Sequence, residues 1–452
     1  MHTFDEASAA TARALADLCL ERLAMQAPLD HWLSPERLAE LAGATVTGKG
    51  IGPAEAVRLW EEVLAPACLS VDHPRYLSFI PGAPSKASAA FDMLVGASSV
   101  YGGSWLEGAG AVYAENQALR WVSDLAGLPP GAGGAFVQGG TIGNLSALVA
   151  AREAAKHTRG NPPGRWAVLL TDETHSSVKH ALEVVMDVDV ITVPGDQRGR
   201  LTGPALAATV AGLPESVRAG VFAVVGTAGS TNLGIIDDLA GIADVAQAND
   251  WWLHVDGAYG GAGLAAPSVR RLYDGIERAD SFIVDPHKWL FAPYDCCALI
   301  YRDPVLARAA HTQKAGYLDP VNVEGEWNPS DFAIHLTRRA RGLPFWFSLA
   351  VHGTEAYSAA VEQTLDTARA GRQLISDAPH VRLLVEPDLS VLIFERIGWD
   401  DADYSRWSVD ALARGFAFVT PTRHAGRVCT RFAIVNPETT ADDLRLIIDS
   451  MR

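Results

Sequence analysis

The chain predicts an α/β fold built on a mainly parallel sheet, and three observations predict it. Short, nearly unbroken apolar runs alternate with helical stretches between residues 142 and 301, the pattern of strands covered on both faces. Two of those runs end in residues able to do chemistry. Trp251-Trp252-Leu253-His254-Val255-Asp256 ends in a carboxylate, and Ser281-Phe282-Ile283-Val284 leads into Asp285-Pro286-His287-Lys288-Trp289, which presents an amine. Open α/β sheets hold ligands at such strand ends. Finally, 452 residues exceed the size at which one core usually stops growing, so one large domain with smaller additions is expected.

Taken in order, residues 1–70 read as helices. Thr3 with Glu6 forms a capping box, Ser34-Pro35 starts a second helix and Gly52-Pro53 a third. From His73 to Gly103 the chain is rich in Pro, Gly and aromatics and reads as irregular, the kind of segment that lines ligand sites. The uncharged span Ala132 to Ala151 is interrupted by Gln138, Asn144, Ser146 and several glycines. It reads as a glycine-rich turn opening onto a buried helix, not as a membrane span. Strands are expected at Ala167 to Leu170, Val188 to Val193, Val221 to Thr227, Trp252 to Val255, Ser281 to Val284 and Cys297 to Tyr301. Helices are expected near Ile142 to Lys156, Ser176 to Val185, Gly203 to Ala211 and Asp237 to Ala248. His311 to Ser330 lacks apolar periodicity and reads as a long mobile loop, and a loop of that length in a compact domain is usually functional or disordered. A helical segment from Leu343 to about Leu374 then leads into a smaller α+β piece. Its strands are Val381 to Val385, Leu389 to Glu395 and Thr430 to Asn436, and Ala441 to Arg452 is its closing helix.

The composition, 48% hydrophobic and 20% charged, is that of a soluble globular protein. A net charge of -16 without a basic stripe argues against nucleic acid as a partner. No N-terminal stretch has the order of a secretory signal, no membrane span is expected, and Cys19, Cys68, Cys296, Cys297 and Cys429 have neither metal-site nor disulfide spacing. These features fit a cytoplasmic protein without a metal centre. Adjacent Cys296 and Cys297 face opposite sides of a strand and read as core filling.

An amine and a carboxylate at two strand ends are what a pyridine-aldehyde cofactor needs, a Schiff-base partner and a counter-charge for its ring nitrogen. The ordered set Phe136-Val137-Gln138-Gly139-Gly140-Thr141-Ile142-Gly143-Asn144, Asp172-Glu173-Thr174-His175-Ser176-Ser177, Gly226-Thr227-Ala228-Gly229-Ser230-Thr231, His254-Val255-Asp256-Gly257-Ala258-Tyr259 and Asp285-Pro286-His287-Lys288-Trp289 resembles the group II pyridoxal-phosphate-dependent amino-acid decarboxylases, the family of aromatic-amino-acid and glutamate decarboxylases. The resemblance runs from about His73 to the C-terminus. It implies fold type I of the PLP-dependent transferases, with a mainly parallel seven-stranded sheet and a small C-terminal α+β domain. The division would be residues 1–70 packing on a dimer partner, 71–345 binding pyridoxal 5'-phosphate, and 346–452 forming a helix and the small domain.

By that resemblance Lys288 is the lysine that bonds the cofactor aldehyde, Asp256 partners the ring nitrogen, Ala258 packs beneath the ring and His175 stacks on its other face. Thr227 would lie beside the ring's 3-oxygen. Gly139, Gly140 and Thr141 open a helix, and backbone donors at a helix N-terminus with a hydroxyl make an anion site for the phosphate. By itself Gly-Gly-Thr reads equally as a plain turn and helix cap, and its place among the other motifs gives it meaning. His287 would add a phosphate contact. Asp285 stands where better-known animal members carry asparagine; a carboxylate beside phosphate repels it, so Asp285 is expected to face a donor or a water. Gly257 for alanine and Gln138 for serine are further departures that would enlarge or re-wet the cofactor edge.

Tyr317 follows Lys288 at the spacing of the family's loop tyrosine, which implies a proton donor to Cα after carbon dioxide leaves, and hence an amine product. The family's substrate-contacting segments fall on Phe79, Ile80 and Pro81 and on Tyr101 to Trp105. There Gly103 replaces a bulky aromatic and Trp105 adds an apolar face, which suits an aromatic L-amino acid. Arg75 or Lys86 would instead greet a second carboxylate, leaving acidic or diamino substrates open. Other outcomes are an aldehyde-forming oxidative deaminase or another fold type I lyase. Arg431 reads as a buried structural cation, and the resemblance implies a homodimer whose active sites are shared between subunits.

Overall fold

The computed structural model describes residues 2–320 and 325–452, with the side chain of Tyr317 outside that description. Seven strands form the large sheet: β1 (Gly133–Val137), β2 (Ala167–Leu170), β3 (Asp189–Thr192), β4 (Val221–Thr227), β5 (Trp252–Asp256), β6 (Ser281–Val284) and β7 (Cys297–Tyr301). Their spatial order is β1-β7-β6-β5-β4-β2-β3. Strands β2 to β6 pair in parallel, while β7 runs antiparallel to both β6 and β1. Because β1 opposes a strand that itself opposes β6, it points the same way as the parallel set, and its exit turn reaches the same edge.

The central strands are buried residue for residue, as their apolar runs require of a sheet covered on both faces. One core cluster lies on each side. One gathers Phe136, Val224, Val255 and Phe282, the other Val137, Val225, Leu170 and Ile283, so neighbouring residues of a strand fall in opposite clusters. The helix Gly140–Arg159 covers the second side, with eight residues buried between Gly143 and Ala151. Cys296 and Cys297 are buried and free, as core filling requires.

Strand β1 lies within the span expected to be only turn and helix. Its start, Gly133-Gly134, carries no β-former, and glycine is needed there because a Cβ on Gly133 would meet the Trp327 indole at 2.7 Å. The irregular reading of His73 to Gly103 is likewise corrected by the helix Lys86–Ser98, capped by Ser85, and a second unexpected helix, Trp105–Leu125, begins at Ser104. At the N-terminus the cap is Asp5, whose carboxylate accepts from Ser8 N at 2.9 Å, in place of the Thr3–Glu6 box. The helices at Pro35 and Pro53 start where expected. The long helical stretch after Leu343 is broken at Gly353 into Leu343–His352 and Thr354–Asp377.

A second sheet, ordered β10-β11-β9-β8, is formed by β8 (Val381–Leu383), β9 (Val391–Arg396), β10 (Pro421–His424) and β11 (Arg427–Ala433). Of these, β10 was not expected: Pro421-Thr422-Arg423-His424 has no apolar run. Among the described residues it pairs only with β11, the edge position that tolerates proline. Arg431 is buried and donates to the carbonyls of Thr231 and Phe79, the structural cation expected; burial pushes its guanidinium down to about 10. The segment expected to be a mobile loop is anchored at its C-terminal end, where Trp327 stacks on Phe332 at 4.4 Å and donates to Gly134 O at 3.1 Å. Among the described residues no helix is long and apolar enough to cross a membrane, and no cluster of His, Cys, Asp or Glu could hold a metal ion.

Candidate active site

The C-terminal ends of β1, β4, β5 and β6 converge on one cleft of about 260 Å³. Gln138, Gly139, Gly140, Thr141, His175, Thr227, Asp256, Ala258, Asp285, His287 and Lys288 all line it, so every residue assigned by sequence to the cofactor falls in one place. The parallel arrangement causes this: each strand delivers the polar residues at its C-terminal end to the same edge.

Asp256 ends β5 and is buried, with Oδ1 accepting from Ala258 N at 3.0 Å and Oδ2 from Asn144 Nδ2 at 2.9 Å. Lys288 sits in the single-turn helix Pro286–Trp289, where Pro286 stops β6 and turns the chain. Its Nζ lies 2.9 Å from Asp285 Oδ2. Burial alone lowers an ammonium's pKa, but the adjoining Asp285 carboxylate outweighs it, and Lys288 is held above its ordinary value. In turn Lys288 and His287 hold buried Asp285 below the usual carboxylate range against its own desolvation. Asp285 Oδ2 also accepts from Gly140 N at 3.3 Å, so the carboxylate faces donors, as expected, and the nearest is the Lys288 amine.

His287 is buried with Nδ1 2.7 Å from Cys296 O, and its ring lies 4.9 Å from that of Tyr294. Burial pushes its imidazole down, partly offset by Asp285. His175 is exposed and also caps the short helix Ser176–His180, accepting from Ser177 N at 3.3 Å. Capping and cleft lining therefore coexist, with Ser177 Oγ fixing the ring at 2.8 Å. Gly257 does not widen the cleft: a Cβ there would meet the Phe282 ring at 2.6 Å and Ile283 O at 2.8 Å, so its smallness serves packing on β6.

Other expectations are not met within the chain. Phe79, Ile80, Pro81, Gly103 and Trp105 do not line the cleft; Phe79 is exposed, Ile80, Pro81 and Gly103 are buried, and Trp105 starts its helix. Arg75 and Lys86 are also elsewhere, Arg75 bound to Asp443 at 2.9 Å. Tyr317 belongs to the turn Gly316–Leu318, and its side chain lies outside the described residues. Sequence reasoning missed Asn144, Tyr294 and Asp295 as cleft residues. Asn144 was detectable, because it lies one helical turn beyond Gly140 and so shares its face.

The residues fit pyridoxal 5'-phosphate. Among the described residues, buried Thr227 Oγ1, Gln138 Oε1 and Asp285 Oδ1 have no hydrogen-bond partner, and each belongs to a residue lining the cleft. Left so, each costs about 1–3 kcal/mol, an expense expected where a ligand supplies the partner. The 20-residue helix beginning at Gly140 brings the positive end of its dipole to the same cleft.

Residues 54–397 match the family model described as the pyridoxal-dependent decarboxylase conserved domain. The chain belongs to that family. It is 30% identical over 434 residues to the aromatic-L-amino-acid decarboxylase of Bacillus atrophaeus, covering 93% of this chain and 89% of that protein. It is 31% identical over 418 residues to the L-2,4-diaminobutyrate decarboxylase of Rhizobium meliloti, covering 89% and 82%. The solved structure of Oryza sativa TDC with PLP and tryptamine matches with a TM-score of 0.90 over 100% of this chain and 99% of that one, at 23% identity, a likeness of fold. The protein is thus a pyridoxal-5'-phosphate-dependent decarboxylase of an L-amino acid, with the fold type I large domain and a smaller C-terminal α+β domain.

Proposed function

We propose that this decarboxylase acts on an aromatic L-amino acid and releases the corresponding amine and carbon dioxide, working as a homodimer. The observation that carries the reading is an aromatic side chain in the cleft lining: the half-exposed Tyr294 ring packs on His287 and lines the same cleft as Lys288. The aromatic-L-amino-acid activity of the Bacillus relative supports it. An acidic side chain is disfavoured, since the cleft's carboxylates Asp256, Asp285 and Asp295 would repel it and neither Arg75 nor Lys86 lines the cleft.

When bound, pyridoxal 5'-phosphate supplies an aldehyde carbon for capturing amines and a ring that takes up the electron pair left as carbon dioxide departs. Lys288 provides the amine for the covalent link, and Asp285 governs how often that amine is neutral. Asp256 provides the negative charge that keeps a pyridine nitrogen protonated. Gly139, Gly140, Thr141 and His287 would hold the phosphate, Thr227 the 3-oxygen, and Ala258 and His175 the two ring faces. Tyr317 would return the proton to Cα.

Phe79, exposed and outside the lining of this chain's own cleft, fits a site shared across a dimer. The exposed Phe4, ahead of the first helix, and Leu20 and Trp60 of the N-terminal helices supply apolar surface for a partner to cover. A second reading, a diamino acid substrate, is favoured by Asp295 at the cleft and by the Rhizobium relative. The deciding experiment offers the cofactor-loaded protein each aromatic amino acid, 2,4-diaminobutyrate and ornithine, and measures carbon dioxide and amine. Preferred turnover of tryptophan, tyrosine, phenylalanine or dopa is expected; preferred turnover of a diamino acid would overturn the aromatic reading.

A further inference from the structure

A chain of buried polar groups runs beneath Asp256. Trp252, His254 and Asp256 alternate along β5 and so share one face of the sheet, the face covered by the helix that carries Asn144. Ser281 of β6 lies directly across from His254 in the parallel register. Trp252 Nε1 is 2.8 Å from Ser281 Oγ, Ser281 Oγ is 2.8 Å from His254 Nδ1, His254 Nε2 is 2.7 Å from Asn144 Oδ1, and Asn144 Nδ2 is 2.9 Å from Asp256 Oδ2. All five side chains are less than 9% exposed.

The direction of every bond follows from the two ends. An ionised carboxylate can only accept, so Asn144 turns its NH2 to Asp256 and its Oδ1 to His254. At the other end Ser281 Oγ accepts from the Trp252 N–H and gives its own hydrogen to the unprotonated Nδ1 of the neutral ring. His254 must then carry its proton on Nε2 and give it to Asn144 Oδ1. Turning the Asn144 amide would set two acceptors or two donors against each other inside a dry core, at the cost of an unmet polar group, and reversing the Ser281–His254 link would make the buried ring a cation. Burial also pushes the His254 imidazole far below its ordinary value, so the ring is neutral, as the chain of bonds requires.

We infer that Asn144 and His254 are positioning residues for Asp256: the directed chain Trp252–Ser281–His254–Asn144 locks His254 in its neutral Nε2–H tautomer and fixes the orientation of the carboxylate at the cleft. One oxygen is held by Asn144 and the other by the Ala258 N–H, so rotation of the carboxylate breaks both bonds. The inference rests on the proposed reading of Asp256 as the ring-nitrogen partner, but the tautomer does not depend on that reading.

The test begins with the full-length, cofactor-loaded protein labelled with 15N-histidine, the His254 signal being assigned by its absence in His254→Gln. An Nε2–H neutral ring between about pH 6 and 8 is expected around the ordinary histidine pKa; an Nδ1–H or cationic ring overturns the inference. Next, cofactor affinity is measured by fluorescence titration. Asn144→Ala and His254→Phe should each weaken it at least about tenfold, because each strands buried polar groups. His254→Gln, whose amide can accept from Ser281 and donate to Asn144, should restore affinity to within about threefold of the parent, on the same hydrogen-bond count. If Asp256→Ala weakens binding while Asn144→Ala and His254→Phe do not, the positioning role is refuted and the role of Asp256 survives. If Asp256→Ala leaves affinity and the absorbance spectrum unchanged, the reading of Asp256 is refuted, and the tautomer alone decides the relay.

Discussion

Replacing Asp285 by asparagine isolates the most unusual electrostatic feature of the cleft. The carboxylate lies 2.9 Å from Lys288 Nζ and is 2% exposed, while the lysine side chain is 23% exposed. At that separation the attraction is about 6 kcal/mol with an effective dielectric of 20 and about 1.4 kcal/mol in bulk water. Since one pH unit corresponds to about 1.4 kcal/mol, neutralising the carboxylate should lower the Lys288 pKa by between about one and four units. Burial acts in the same direction once the partner charge is gone. Even the lower bound raises the neutral fraction of the amine about tenfold near pH 7.5. The assay is competitive reductive methylation of the cofactor-free protein at a series of pH values, with the Lys288 peptide quantified by mass spectrometry in parent and Asp285→Asn protein. A fall of one unit or more is expected, together with about tenfold faster cofactor capture at neutral pH. An unmoved or raised pKa would refute the claim that Asp285 holds the amine charged.

Tyr317→Phe should retain cofactor binding and slow amine release by about 10²-fold or more, the typical contribution of a positioned acid. Part of the turnover should shift to aldehyde and ammonia with uptake of dioxygen and release of hydrogen peroxide; an unchanged rate and product ratio would remove the tyrosine from the mechanism. A third expectation concerns acid stability. Burial, with Arg338 and Arg341 nearby, pushes the His335 imidazole down to about 4 from its ordinary 6.5, so the folded protein prefers it neutral. The stabilisation is complete above pH 6.5 and is lost as pH falls towards 4, amounting to about 2 kcal/mol by pH 5. Urea unfolding at pH 7.5 and 5 should therefore show a smaller acid loss in His335→Leu than in the parent, and equal losses would contradict the assignment.

What the sequence could and could not reveal follows from the physics of each element. Strands β4, β5 and β6 are fully buried, so continuous apolar runs marked them, and the polar residues at or just beyond their ends, Thr227, Asp256 and Asp285, marked the cleft. Strand β1 escaped notice because its glycines serve close packing, Gly133 on Trp327 and Gly134 on the Leu299 backbone, both far away in sequence. The helix Trp105–Leu125 had its signal in plain view: Ser104 caps it by accepting from Glu107 N at 3.3 Å, and Ser104 with Glu107 is the pattern of a capping box. The direction of β7 was not legible, since an antiparallel strand buried on both faces looks like a parallel one. Period-two reasoning from Asp256 would have found His254, but its links to Asn144 and Ser281 depend on pairing and helix placement. The substrate segments were assigned by family resemblance and not by periodicity, and they lie outside the lining of this chain's own cleft.

The central claim is that Lys288 is the residue to which pyridoxal 5'-phosphate is bonded, opposite the carboxylate of Asp256 in a single cleft. Borohydride reduction of the cofactor-loaded protein, followed by peptide mapping, tests it most directly. The account predicts one pyridoxyl group per chain, on Lys288 within the peptide that contains Asp285-Pro286-His287, and none in Lys288→Ala. A pyridoxyl group on another lysine, or reduction that leaves every lysine unmodified, would contradict it.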